Sequence, residues 1–197
     1  MTAGCIEGGC GPIPRLAIWV GFVGKTLLHD TRCMALAYLS LGSNIGDREA
    51  ALREAIHRLK TIGRVALVSS IYETEPVELA DQPWFLNCAV ALETEKTPEQ
   101  LLTEILSIEE EMGRRRVQEK GPRNIDVDIL LYGAAVVESP SLTIPHPAMQ
   151  QRRFVLEPLA EIAPEAKNPV SGRNARETLE VLPPGQTVRK IEKTISH

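Results

Sequence analysis

Aromatic side chains are scarce in this chain: two Trp, three Tyr and three Phe among 197 residues. Each of them is therefore worth tracking. Long hydrophobic runs are missing as well. The apolar stretch at 16–23 falls far short of the ~20 residues needed to span a bilayer. Cys5, Cys10, Cys33 and Cys88 make no C-x-x-C pair and no metal-like spacing, and three of them lie within the first 33 residues, where they cannot staple the rest. That usage points to a reducing, cytoplasmic setting, with Cys88 as a small core residue. An excess of positive charge is lacking too. The net charge of -4 argues against bulk nucleic-acid affinity, yet a locally basic site for a small anion fits inside an acidic protein.

What is present suits one globular domain with a real core: 43% hydrophobic and 24% charged residues in a chain too short for two comfortable domains. Residues 1–33 read differently. They are glycine-rich, make a poor signal peptide because Glu7 precedes the apolar run, and offer no clear cleavage site. Gly24-Lys25-Thr26 ends like a phosphate-binding loop, but the glycine required five positions earlier is Trp19. Periodic patterning starts just after Met34. The expectation is that Met34 is the biological start, that residues 1–33 are an extension outside the fold, and that 34–197 form one domain.

Along that body the patterning predicts a strand at 35–41, ended by a Gly42-Ser43-Asn44 turn, and then a helix at 47–60 with Leu52, Ile56 and Leu59 on one face. A β-branched strand follows at 64–72, then a polar, proline-punctuated loop, then a strand at 84–94. Thr97-Pro98-Glu99-Gln100 is a strong helix start, and Leu101, Ile105, Ile108 and Met112 continue its buried stripe to Gly113. A charged loop then leads into a strand within "GPRNIDVDILLYG". Beyond it come a hairpin at 136–144, a helical segment at 154–162 and a last short helix at 175–182. The order β-α-β-β-α-β predicts an α+β ferredoxin-like sandwich: an antiparallel sheet with helices on one face, the other face left for a site, and a C-terminal extension.

In that strand Asp126 and Asp128 project together, opposite Ile125, Val127 and Ile129. Carboxylates so close repel unless a cation shares them, and Mg²⁺ is commonly held by one or two carboxylates plus substrate phosphates. A bare D-x-D reads more simply as a solvated strand face. Its neighbours shift that balance: Arg114, Arg115, Arg116, Lys120 and Arg123 crowd the preceding loop and suit phosphate oxygens. A third cluster joins His146, set between two prolines, to Arg152, Arg153 and Phe154.

"YLSLGSNIGDRE", "SSIYETEPVELADQPWFLNCAVALET", "GRRRVQEKGPRNIDVDILLYG" and "IPHPAMQQRRFVLEPLAEIAP", in that order, resemble the 6-hydroxymethyl-7,8-dihydropterin pyrophosphokinases of folate biosynthesis. The resemblance covers about 34–162. It implies transfer of the terminal diphosphate of ATP to the pterin hydroxymethyl group with release of AMP, on a ferredoxin-like fold. It implies two Mg²⁺ ions on Asp126 and Asp128. It implies pterin contacts at Thr74, Val77, Phe85, Asn87 and Phe154. ATP contacts are implied at Glu109, Arg114, Arg116, Arg123, His146 and Arg152. Arg114, Arg116, Arg123, Asp128 and Arg152 would carry catalysis, with in-line attack on the β-phosphorus and Asp128 as the candidate to assist the hydroxyl. Many family members have R-W-G-P-R where this chain has "EKGPR", so Lys120 stands in place of a loop tryptophan, and Glu75 stands where proline is common.

Two other classes compete. A ferredoxin-like module could sense a nucleotide or pterin without turnover, but pure binding does not need a divalent-metal pair beside so many cations. An RNA-binding fold of the same topology wants aromatics on the central strands and a basic sheet face; Phe85 offers one such ring, and the net charge has the wrong sign. The reading carried forward is a cytoplasmic, monomeric enzyme acting on small molecules, with no nucleic-acid or membrane partner.

Overall fold

A computed structural model of the protein describes residues 34–77, 82–113 and 123–194. Its centre is a pair of long strands, β1 (Ala35–Ser43) and β4 (Phe85–Thr94), antiparallel over their full length from Ala35↔Thr94 to Ser43↔Leu86. Alternation on both strands sends Ala37, Leu39 and Leu41 with Leu86, Cys88, Val90 and Leu92 to one side of the sheet. Two helices close that side. In α1 (Arg48–Leu59) the Asp47 side chain accepts from Ala50 N, and Leu52, Ala55, Ile56 and Leu59 face inward. In α2 (Pro98–Glu111) Thr97 and Gln100 complete a capping box, satisfying two N–H groups that the first turn would otherwise leave orphaned. Cys88 lies in this core, where burial pushes its thiol up to about 12.

The remaining strands are β2 (Arg64–Val68), β3 (Ser70–Thr74), β5 (Asp126–Tyr132) and β8 (Val188–Thr194), with a small separate hairpin of β6 (Val137–Glu138) and β7 (Thr143–Ile144). The main sheet runs β5-β1-β4-β3-β8, with β2 also on β4, and every pairing is antiparallel. Between strands β7 and β8 lie α3 (Arg153–Ile162) and α4 (Ala175–Val181).

Four details differ from the sequence expectations. The single strand at 64–72 is two strands. Ser69 interrupts it by donating its N–H to Ala89 O while its hydroxyl accepts from Ala89 N, both at 2.9 Å. The supposed turn at Gly42 is strand, because Gly42 pairs with Asn87 and Ser43 with Leu86. An edge strand at Val188–Thr194 was not anticipated: its mostly polar sequence has little apolar alternation, and pairing to β3 supplies its order. The helices do not keep to one face. Val155 and Leu159 of α3 cluster with Ala89, Leu130, Leu131 and Ala175 against the second side of the sheet, so the C-terminal part is integral to the fold.

A bulge allows β5 to serve both sides. Leu39 faces Ile129 and Tyr38 faces Leu131, so Leu130 is the extra residue. Leu130 and Leu131 both join the α3 cluster, whereas Val127 and Ile129 stay in the α1/α2 core.

Candidate active site

Helix α3 covers only the apolar part of the second sheet face. The uncovered part is polar, since Ser40 and Gly42 of β1, Asn87 of β4 and Asp126 and Asp128 of β5 alternate out of the core. These residues floor a cleft of ≈ 630 Å³ of empty space, including its open mouth. Thr74, Glu75, Pro76 and Val77 form one wall, Phe85 and Gln82 lie beside them, and Arg123, Arg152 and Phe154 complete the lining.

One end suits a flat, polar-edged ring. Asn87, 3% exposed, donates from Nδ2 to Thr74 Oγ1 at 2.7 Å, so the amide is held in one orientation. Gly42 makes room for it, because a Cβ there would stand 2.8 Å from Asn87 Oδ1. Val77 is 59% exposed on the wall, and Phe85 and Phe154 bring two of the protein's three Phe rings to one cavity.

The other end is charged. Asp126 and Asp128 share a face as β-periodicity requires, and Arg123 pairs with Asp126 at 3.2 Å. Burial, then the Asp126 charge, raises the proton affinity of Asp128 to about 7, against the opposing pull of Arg152 and Arg123. Arg123 lines the cleft, and its Nε is buried with no hydrogen-bond partner among the described residues. Arg152 also lies 5.7 Å from the Phe154 ring centroid, which ties the two ends together. Among the described residues no group of three or more His, Cys, Asp or Glu side chains could hold a metal. The acid pair by itself offers two hard oxygen donors, a set that suits Mg²⁺ only when phosphate and water fill the remaining coordination positions.

Backbone contacts set this geometry. Asn44, 1% exposed, donates its N–H to Arg123 O and accepts from Arg123 N through Oδ1 at 2.8 Å. Its Nδ2 reaches Gln82 Oε1 at 3.0 Å and Pro83 O at 3.3 Å, so one side chain spans both ends of the cleft. His146 donates its N–H to Leu130 O, and its Nδ1 accepts from Ala148 N. Burial and Arg152 push the imidazole pKa down, with Asp126 opposing, and the neutral ring carries its proton on Nε2.

Of the expected site residues, Thr74, Val77, Phe85, Asn87, Arg123, Asp126, Asp128, Arg152 and Phe154 all line the cleft. Glu109 does not. It is 2% exposed on α2, and its Oε1 accepts from Val127 N at 2.7 Å, filling a hydrogen-bonding position on the outer edge of β5. Its place is behind the acid pair. Arg114, Arg115, Arg116 and Lys120 fall outside the described residues. Sequence reading missed Ser40, Gly42, Gln82 and Asn44. Only the glycine within a strand-like run offered a signal, as a mark of close approach.

Residues 38–164 match the family model described as 7,8-dihydro-6-hydroxymethylpterin-pyrophosphokinase. Over 153 residues the chain is 49% identical to the 2-amino-4-hydroxy-6-hydroxymethyldihydropteridine pyrophosphokinase of Methylorubrum extorquens, covering 77% of this chain and 96% of that one. The Bacillus subtilis protein of the same name is 48% identical over 134 residues, covering 67% of this chain and 80% of its own length. A Schizosaccharomyces pombe folic acid synthesis protein, fol1, is 47% identical over 151 residues, and the match spans only 20% of that longer protein. Among solved structures, wild-type Plasmodium falciparum HPPK-DHPS with pterin and p-hydroxybenzoate aligns with a TM-score of 0.62 at 20% identity. That alignment covers 78% of this chain and 44% of the other, a likeness of fold.

Proposed function

The chain belongs to the 7,8-dihydro-6-hydroxymethylpterin-pyrophosphokinase family, and from that premise we propose that it transfers diphosphate from ATP to 6-hydroxymethyl-7,8-dihydropterin in folate synthesis. The observation that carries this is a single cleft with a fixed amide and two Phe rings at one end and an acid pair flanked by two arginines at the other. An aminopyrimidinone edge wants an amide, and a flat ring wants aromatic faces. A monomer acting on small molecules is part of the proposal. No helix among the described residues is long and apolar enough to cross a membrane, and a cytoplasmic setting is part of the proposal. The ferredoxin-like reading of the fold also belongs here, supported by the order β5-β1-β4-β3 with α1 and α2 on one side.

Asn87 and Thr74 orient the pterin, and Phe85, Phe154 and Val77 enclose its ring. Arg123 and Arg152 hold the phosphates in line with the hydroxymethyl oxygen. That oxygen bonds to the β-phosphorus as the bond from phosphorus to the α,β-bridging oxygen breaks, leaving AMP. Asp128, which lines the charged end of the cleft, is the candidate to take the hydroxyl proton. Two Mg²⁺ ions on Asp126 and Asp128, when bound, would supply charge neutralisation for the phosphates. The arginines stabilise charge on the transferring group without reorganising, the usual source of rate in such transfers.

Incubation with MgATP and the hydroxymethyl dihydropterin should yield AMP and the pterin diphosphate, followed by chromatography. Binding of both ligands with no AMP would leave a sensing module instead. Asp126→Ala or Asp128→Ala should cut turnover at least ~10²-fold while the protein stays folded, since neither is core. Near-normal rates in both would rule out their metal role.

A further inference from the structure

We infer that Gln186, 32 positions along the chain from Phe154, is a positioning residue for the pterin end of the cleft. The inference rests on the pyrophosphokinase reading and assigns part of that specificity to the C-terminal segment. Helix α3 begins without the usual side-chain cap: its N-cap, Arg152, makes no such hydrogen bond. The second helical residue is Phe154, whose N–H no intrahelical carbonyl can accept. Gln186 takes that role from 32 positions away, accepting from Phe154 N through Oε1 at 3.2 Å. Its Nε2 donates to Glu75 O at 3.3 Å. One side chain thus bridges the wall that carries Phe154 and the wall that carries Val77.

Thr187 fixes the same wall. Its N–H donates to Glu75 Oε1 at 2.6 Å, and Glu75 N donates back to Thr187 O at 3.3 Å. Gln186 is partly buried, so the bridge is only partly screened by water. Its two bonds set how far Phe154 stands from the 75–77 wall, which is the gap a flat ring must enter. Asp126 and Asp128 approach the cleft from β5, and Arg123 from the segment just before it.

The test compares wild type, Gln186→Ala and Gln186→Glu by titration calorimetry, with the pterin in the presence of a non-hydrolysable MgATP analogue and with the analogue alone. Gln186→Ala should raise the pterin Kd about three- to tenfold, the scale of one or two lost hydrogen bonds. Analogue affinity should stay within about twofold, and AMP release at saturating pterin should stay near wild type. Gln186→Glu still accepts from Phe154 N but cannot donate to Glu75 O, so its pterin Kd should fall between the other two. An unchanged pterin Kd in Gln186→Ala, parallel losses for both ligands, or a Gln186→Glu no better than Gln186→Ala would each overturn the bridge. A wild-type chain that binds no pterin would overturn the pyrophosphokinase reading as well.

Discussion

Asp128 holds its proton more tightly in the folded chain than an ordinary carboxyl, through burial first and the Asp126 charge second. A carboxyl raised from the unfolded value of ~3.9 destabilises the metal-free fold as pH rises from that value toward about 7, and the full penalty persists above it. Asp128→Asn removes the penalty. It should stabilise the protein in EDTA by about 1–2 kcal/mol at pH 8 and by little at pH 5, measured by urea unfolding. The same linkage predicts that Mg²⁺ affinity of the wild type climbs between pH 6 and 8, because the cation must displace that proton. A flat profile would mean that the carboxylate is already ionised. Arg123→Ala should lower kcat more than it weakens ATP binding, since its buried Nε has no hydrogen-bond partner among the described residues and faces the phosphate end of the cleft.

Helices and strands decide whether such side chains meet. Gly42 lets β1 lie close to Asn87, and Gly42→Ala would drive a methyl group into Asn87 Oδ1. The expected result is a loss of about 1–3 kcal/mol in stability and weaker pterin binding, with ATP-analogue affinity retained. Calorimetry on that variant separates the two ligands directly. Helix α3 is secured by Glu161, whose carboxylate accepts from Ser70 N, Ser70 Oγ and Tyr72 OH and meets Lys190 Nζ, joining helix, β3 and β8. Burial alone would raise this carboxyl, but bonds from Tyr72, Ser70 and Lys190 outweigh it and hold the pKa below its ordinary value. The resulting stability is present above the unfolded carboxylate pKa and is lost as pH falls through the lower folded value. Glu161→Ala should cost about 2 kcal/mol at pH 7 and much less near pH 3, read by urea unfolding at both.

At the scale of the whole molecule, the body that begins at Met34 contains every described element. A chain starting there should match the full chain in urea midpoint and in AMP production; an insoluble or inactive product would give residues 1–33 a role in the fold. The two central helices, the acid strand and the proline-flanked histidine were legible in the chain because each is a local pattern. A period of 3.6 marks α1 and α2, a period of two puts Asp126 and Asp128 on one face, and the Thr97–Gln100 capping box spans three positions. What remained hidden depends on partners distant in the chain. That Glu109 holds the edge of β5 through Val127 N, 18 positions along the chain, is one such feature. Gly42 looked like a turn until β4 lay beside it, and residues 188–194 carried no strand signal without the free edge of β3. Sequence alone determined which chemistry is carried, since alternation and capping are written within a few residues of each group. Tertiary structure decided where that chemistry is exposed, because which sheet face α3 covers and which stays open depends on burial between segments that meet only on folding.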